Sequence, residues 1–97
     1  MTITFIALGS NLDNPSAHIK QAFKDLGALP KTTLIAHSSL YESMPLGPQN
    51  QPNFINAAAT LETDLEPLDL LAELQKIEHQ HGRIKKRHWG ERTLDLD

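Results

Sequence analysis

The sequence predicts an α+β fold of order β-α-β-β-α-β, with two helices packed on an antiparallel sheet. Three observations predict it. Two segments carry apolar residues at helical spacing, and each is opened by a proline and closed by a glycine. Four other segments are β-branched or apolar and end at turn residues. The composition, 39% hydrophobic and 22% charged, is that of a globular chain, and 97 residues allow a single domain, 1–97, with one modest core.

Residues 2–8 (TITFIAL) are rich in Thr, Ile and Phe and stop at Gly9-Ser10-Asn11, which makes them the first strand. Asn14 before Pro15 suits a helix N-cap with proline in the first turn. Ile19, Ala22, Phe23 and Leu26 then trace one helix face, and Gly27 and Pro30 end it. Residues 32–42 read as one second strand. Residues 44–52 hold three prolines, a glycine and three amides, and form a stiff loop. Residues 54–61 read as the third strand. Pro67 opens a second helix, with Leu68, Leu71, Leu74 and Ile77 expected down one face and Gly82 as its stop. In residues 93–97, Leu94 and Leu96 alternate with Asp95 and Asp97, the pattern of a half-buried fourth strand. This is the ferredoxin-like split βαβ order, and right-handed crossovers are expected to set strands one and four side by side in the middle. The fourth strand is expected to be truncated at Asp97.

Composition excludes several function classes. With no cysteine there is no disulfide, thiolate metal site or thiol nucleophile. A net charge of −3 argues against an indiscriminate nucleic-acid or acidic-membrane binder. The N-terminus lacks the basic region of a signal peptide, and no apolar run spans a bilayer, so the expected compartment is the cytosol. Charge is nevertheless uneven. All three arginines, Lys85 and Lys86 fall between 83 and 92, giving that stretch +4 with Glu91 and the rest of the chain −7. Such a stretch is either a solvated loop or an anion-binding segment.

Three constellations carry candidate chemistry. Asp95 and Asp97 stand at i, i+2 and share one face of a strand. They are either a solvated face or the ligands of a hard cation such as Mg²⁺, and the cationic stretch upstream favours a nucleotide polyphosphate with its metal. Phe54 and Asn56 also share a strand face. They are either a core ring beside an edge amide, or a ring and amide that stack on and hydrogen-bond a flat heterocycle. Gln75 and Glu78 are expected opposite the leucine face of the second helix, where polar residues need no special role. The five histidines show no metal spacing, since His79 and His81 diverge at a helix end. Neither standard glycine-rich nucleotide loop is present.

Across nearly its whole length the sequence resembles the 6-hydroxymethyl-7,8-dihydropterin pyrophosphokinase family. The carrying motifs are Ala7-Leu8-Gly9-Ser10-Asn11-Leu12, Pro45-Leu46-Gly47-Pro48-Gln49, Gln51-Pro52 and Phe54-Ile55-Asn56-Ala57. They continue with Gly82-Arg83, Trp89-Gly90 and Arg92-Thr93-Leu94-Asp95-Leu96-Asp97. The resemblance implies transfer of the pyrophosphoryl group of ATP to the pterin hydroxymethyl group, releasing AMP. It implies Asp95 and Asp97 as ligands of two Mg²⁺ ions, with Asp97 also receiving the hydroxyl proton. Gly9, Ser43, Met44, Leu46, Phe54 and Asn56 are implied at the pterin, and Gln75, Glu78, Arg83, Lys85, Trp89 and Arg92 at ATP. Arg83 and Arg92 would stabilise the migrating group, and Lys85 and Trp89 lie in a closing loop.

The sequence departs from the family pattern where Lys85 replaces a common arginine, losing the bidentate fork, and where Met44 and Glu91 replace frequent prolines. Family members continue for roughly sixty more residues, one domain's usual length in all. That part would complete the fourth strand, cover the sheet and supply a second aromatic at the pterin. The family is monomeric. A catalytically weak module that self-associates through its open sheet is the alternative expectation. An RNA-binding domain is disfavoured, because residues 54–61 carry one aromatic followed by an amide and alanines.

Overall fold

The computed structural model describes residues 1–45, 47, 50–82 and 94–97. The elements are β1 (Thr2–Ser10), α1 (Pro15–Gly27), β2 (Thr32–His37), β3 (Tyr41–Ser43), β4 (Phe54–Thr63), α2 (Pro67–Gln80) and β5 (Asp95–Leu96). The α+β class and the two helices are as the sequence predicts. The single second strand is not: it is two strands, both paired with β4. The register slips between Leu34 and Ala36. Just beyond, the Ala58 N–H donates to Ser38 Oγ at 2.8 Å, and Ser38 Oγ donates to the Ser39 carbonyl at 2.8 Å. A serine side chain therefore takes up backbone groups and interrupts the ladder.

The sheet order is β2-β4-β1-β5, with β3 also on β4 and every pair antiparallel. β5 lies beside β1 as expected, but at the edge and not in the middle. The centre belongs to β1 and β4, because the split βαβ order slots β4 between the two strands that α1 connects. β1 and β4 pair over nine positions, from Thr2↔Thr63 to Ser10↔Ile55. That register fixes which residues share a face.

Alternation along these strands puts Ile6, Leu8, Ala57, Ala59 and Leu61 on one side of the sheet, under the helices. α1 contributes Ile19, Ala22, Phe23 and Leu26, the face its sequence predicts. Its Asn14, however, is left-handed (φ 65°) and makes no side-chain cap. Side-chain capping needs an extended cap residue. Here the Asn14 carbonyl instead accepts from the N–H groups of Ala17 and His18. α2 buries Leu70, Leu74, Ile77 and Glu78, while Leu68 and Leu71 are exposed. A strict three-residue step falls about 60° short of a turn each time, so positions 68 and 77 end on opposite sides of a helix. Gly82 (φ 79°) ends α2 in the left-handed conformation, its N–H donating to the His79 carbonyl. Leu96 of β5 and Leu94 just before it close the core. No helix among the described residues is long and apolar enough to cross a membrane.

The other side of the sheet has no helix on it among the described residues. Phe5 (74% exposed) and Ile3 stand there, with Tyr41 at its margin.

Candidate functional site

Gly9 pairs with Asn56 on one side and Asp95 on the other, and Asn56 pairs onward with Tyr41. These four residues make one row across β5, β1, β4 and β3. The row one residue over is Leu96, Leu8 and Ala57. All three are buried under the helices, so the Asp95–Gly9–Asn56 row faces the open side. Asp97 and Ala7 form the next open-side row, exchanging backbone hydrogen bonds at 2.9 and 3.2 Å. The shared face expected for the two aspartates is therefore present.

Gly9 leaves the floor of this surface low. A methyl group there would sit 3.5 Å from Asn56 Oδ1 and 3.6 Å from the Phe54 ring. Asn56 is held by its own amide: Nδ2 donates to Ser43 Oγ at 2.8 Å and to the Tyr41 carbonyl at 3.3 Å. With both protons spent on β3, Oδ1 is the atom presented toward Gly9, as a hydrogen-bond acceptor. Phe54 is half-buried beside it and is absent from the core cluster, so its ring serves the open face. Ser43 and Met44 are exposed, Met44 at 75%.

The turn after β1 is tied to the proline loop by groups that composition alone does not single out. Asn11, buried, donates from Nδ2 to Gln51 Oε1 at 2.8 Å and to the Pro52 carbonyl at 3.0 Å. Ser10, Gln51 and Pro45 are buried with it. The signal for this anchor was the amide-rich proline loop, whose partner across the chain could not be read.

Glu78 departs from expectation. It is buried, not on an open polar face, and its Oε2 accepts the Leu96 N–H at 2.8 Å. The arrival of β5 against α2 covers it. Glu78 thereby fastens the strand that bears both aspartates. Gln75 is exposed on α2 beside Lys76 and His79. Leu46, Arg83, Lys85, Trp89 and Arg92 lie outside the described residues.

Asp95 and Asp97 supply hard oxygen donors on the open face, opposite a glycine and an alanine. That donor set fits Mg²⁺. No group of three or more His, Asp or Glu placed to hold a metal occurs among the described residues.

The fold is an α+β, ferredoxin-like sheet whose open face carries Gly9, Phe54, Asn56, Asp95 and Asp97. Residues 5–97 match the family described as 7,8-dihydro-6-hydroxymethylpterin-pyrophosphokinase, and the chain belongs to it. Over 97 residues it is 54% identical to the 2-amino-4-hydroxy-6-hydroxymethyldihydropteridine pyrophosphokinase of Haemophilus influenzae, matching all of this chain and 61% of the relative. The Pseudomonas aeruginosa protein of the same name is 53% identical over 93 residues, 96% of this chain and 57% of its own. A Pseudomonas putida protein of that name is 49% identical, covering all of this chain and 81% of its own. The chain thus spans about three fifths of the length of the first two.

Proposed function

We propose that this chain carries the pterin site and the metal-binding carboxylates of a pyrophosphokinase that moves the pyrophosphoryl group of ATP onto 6-hydroxymethyl-7,8-dihydropterin, releasing AMP, in folate biosynthesis in the cytosol. The observation that carries the reading is the open-face row of Asp95, Gly9 and Asn56. It sets the Asn56 amide and the Asp95 carboxylate on opposite sides of one glycine, which supports a heterocycle beside a metal.

In this reading Phe54 stacks on the pterin ring, and Asn56 Oδ1 accepts from an N–H of its edge. Gly9, Ser43, Met44 and Leu46 complete the pterin surface. Asp95 and Asp97 would hold two Mg²⁺ ions, which when bound neutralise charge on the ATP phosphates. Gln75, Arg83, Lys85, Trp89 and Arg92 contact ATP, and Arg83 and Arg92 stabilise charge on the migrating group. The pterin hydroxyl oxygen forms a bond to the β-phosphorus, and the bond from that phosphorus to the oxygen bridging it to the α-phosphate breaks, so AMP leaves. The hydroxyl proton goes to the Asp97 carboxylate. Glu78 acts through β5, keeping Asp95 and Asp97 in place, beside its role at ATP.

A second reading rests on the exposed Phe5, Ile3 and Tyr41. The chain would then be an assembly module that pairs through its open face and turns nothing over. AMP release from Mg-ATP, with and without the pterin and with Asp95→Ala as control, separates the two. Pterin-dependent AMP that vanishes in the variant supports the enzyme. A folded chain that releases none, and whose mass in solution rises with concentration, supports the module.

A further inference from the structure

On the helical side of the sheet, away from the aspartates, α1 presents His18, Gln21 and Asp25 at i, i+3 and i+7, hence on one face. α2 delivers His81 against them. His81 is the residue that caps α2, its N–H held by the Ile77 and Glu78 carbonyls, and its side chain is only 7% exposed. Its Nε2 lies 2.8 Å from Asp25 Oδ2, while Gln21 Nε2 donates to Asp25 Oδ1 at 3.0 Å. Its Nδ1 lies 2.7 Å from Nδ1 of His18.

These contacts fix the tautomer of a neutral His81. A carboxylate only accepts, so Nε2 carries the proton and Nδ1 carries a lone pair. That lone pair points at the matching atom of a second imidazole. A carboxylate on one ring nitrogen and a lone pair on the other is the arrangement that orients metal-ligating histidines. Nitrogens bound to one zinc-like ion at 2.0–2.1 Å are roughly 2.9–3.4 Å apart for ordinary bond angles. The existing gap has to open by up to about 0.7 Å and the rings have to turn until both lone pairs converge on the ion, a rotation that half-exposed His18 can supply. Beside the pair is an open hollow of about 630 Å³ bordered by Asp13, Asn14 and Gln80, with room for the waters that complete a coordination shell.

We propose that His18 and His81 chelate a divalent transition-metal ion through their Nδ1 atoms, with Asp25 orienting His81. Imidazole pairs suit zinc, nickel and copper, whereas Mg²⁺ demands oxygen. The site is therefore chemically separate from the aspartate pair. On binding, His18 moves its proton from Nδ1 to Nε2, so no proton is lost from the neutral pair. The ion would bolt α1 to the last turn of α2.

The test uses zinc alone as probe, in excess Mg²⁺, read by proton NMR of the histidine rings and by thermal melting. At equimolar zinc the His18 and His81 ring signals shift together, and the melting temperature rises by about 4 °C or more, the shift roughly 1 kcal/mol gives in a domain this size. His18→Gln, at a half-exposed position, abolishes both effects while circular dichroism stays unchanged. Asp25→Asn weakens zinc binding about tenfold or more, and His79→Gln leaves it intact. Zinc shifts confined to other rings, or a melting rise that survives in His18→Gln, would overturn the proposal. A fully zinc-insensitive chain would overturn it equally.

Discussion

The two faces of the sheet are cut from the same strands and could hardly differ more. On the helix side, Leu61, Ile19, Leu26 and Leu94 have essentially no solvent exposure. On the open side, the same strands show Gly9, Asn56, Ala58 and Phe5, and β5 with the residue after it adds Asp95 and Asp97. One face spends its side chains on burial, which stabilises by roughly 1.5–3 kcal/mol for each large aliphatic residue. The other carries small, polar and acidic side chains beside exposed Phe5. Stability and chemistry are thus separated by the pleat of the strand and not by position along the chain.

The comparison can be broken by substitution. Leu61→Ala, on the packed face, should cost about 2–5 kcal/mol in urea unfolding. Its neighbour on the open face, Thr60→Ala, should stay within about 0.5 kcal/mol. Equal costs would mean that the open face is also packed in solution.

Glu78→Ala should cost about 1–3 kcal/mol, since the buried Leu96 N–H loses its acceptor. The Leu96 amide should then exchange faster with deuterium, and Glu78→Gln, which keeps an acceptor oxygen, should restore most of its protection. Unchanged Leu96 exchange in the alanine variant would remove Glu78 from the support of β5.

Asn56→Leu should lose about 1 kcal/mol of stability with its bonds to β3. Calorimetry should show pterin binding weakened tenfold or more, at about 1.4 kcal/mol per factor of ten. Retained pterin affinity would exclude the amide from the site. The smallest structural effect belongs to Asp95→Asn, expected within about 0.5 kcal/mol, yet magnesium-dependent AMP release should fall furthest there. Activity that survives would separate the carboxylate pair from the chemistry.

What the sequence made legible is what repeats locally. A period of two placed Asp95 with Asp97 and Phe54 with Asn56, and neither depended on the rest of the fold. The α1 face was readable because its spacing of three and four follows the helix. The α2 face was misread because a pure three-residue step drifts, so Leu68 and Leu71 went outside and Leu70 in. Long-range partners were out of reach. Nothing near Glu78 announces Leu96, 18 residues on, and nothing near Asn11 announces Gln51, 40 residues on. The break at Ser38 and the edge position of β5 likewise depend on which strand lies alongside.

The nine-position register between β1 and β4 has a consequence for how the gene can change. A codon gained or lost in the connection between α1 and β2 displaces at most Leu29 and its neighbours and leaves the β1–β4 register as it is. A codon lost within β1 between Ile6 and Gly9 must rotate everything on one side of it by half a pleat. If Ala7 is lost, either Gly9 turns under the helices while Leu8 surfaces between Ala58 and Asp97, or Ile6 leaves the core. Point substitutions can drift through these strands one side chain at a time, but single-residue length changes in β1 should be lethal to the site at a stroke.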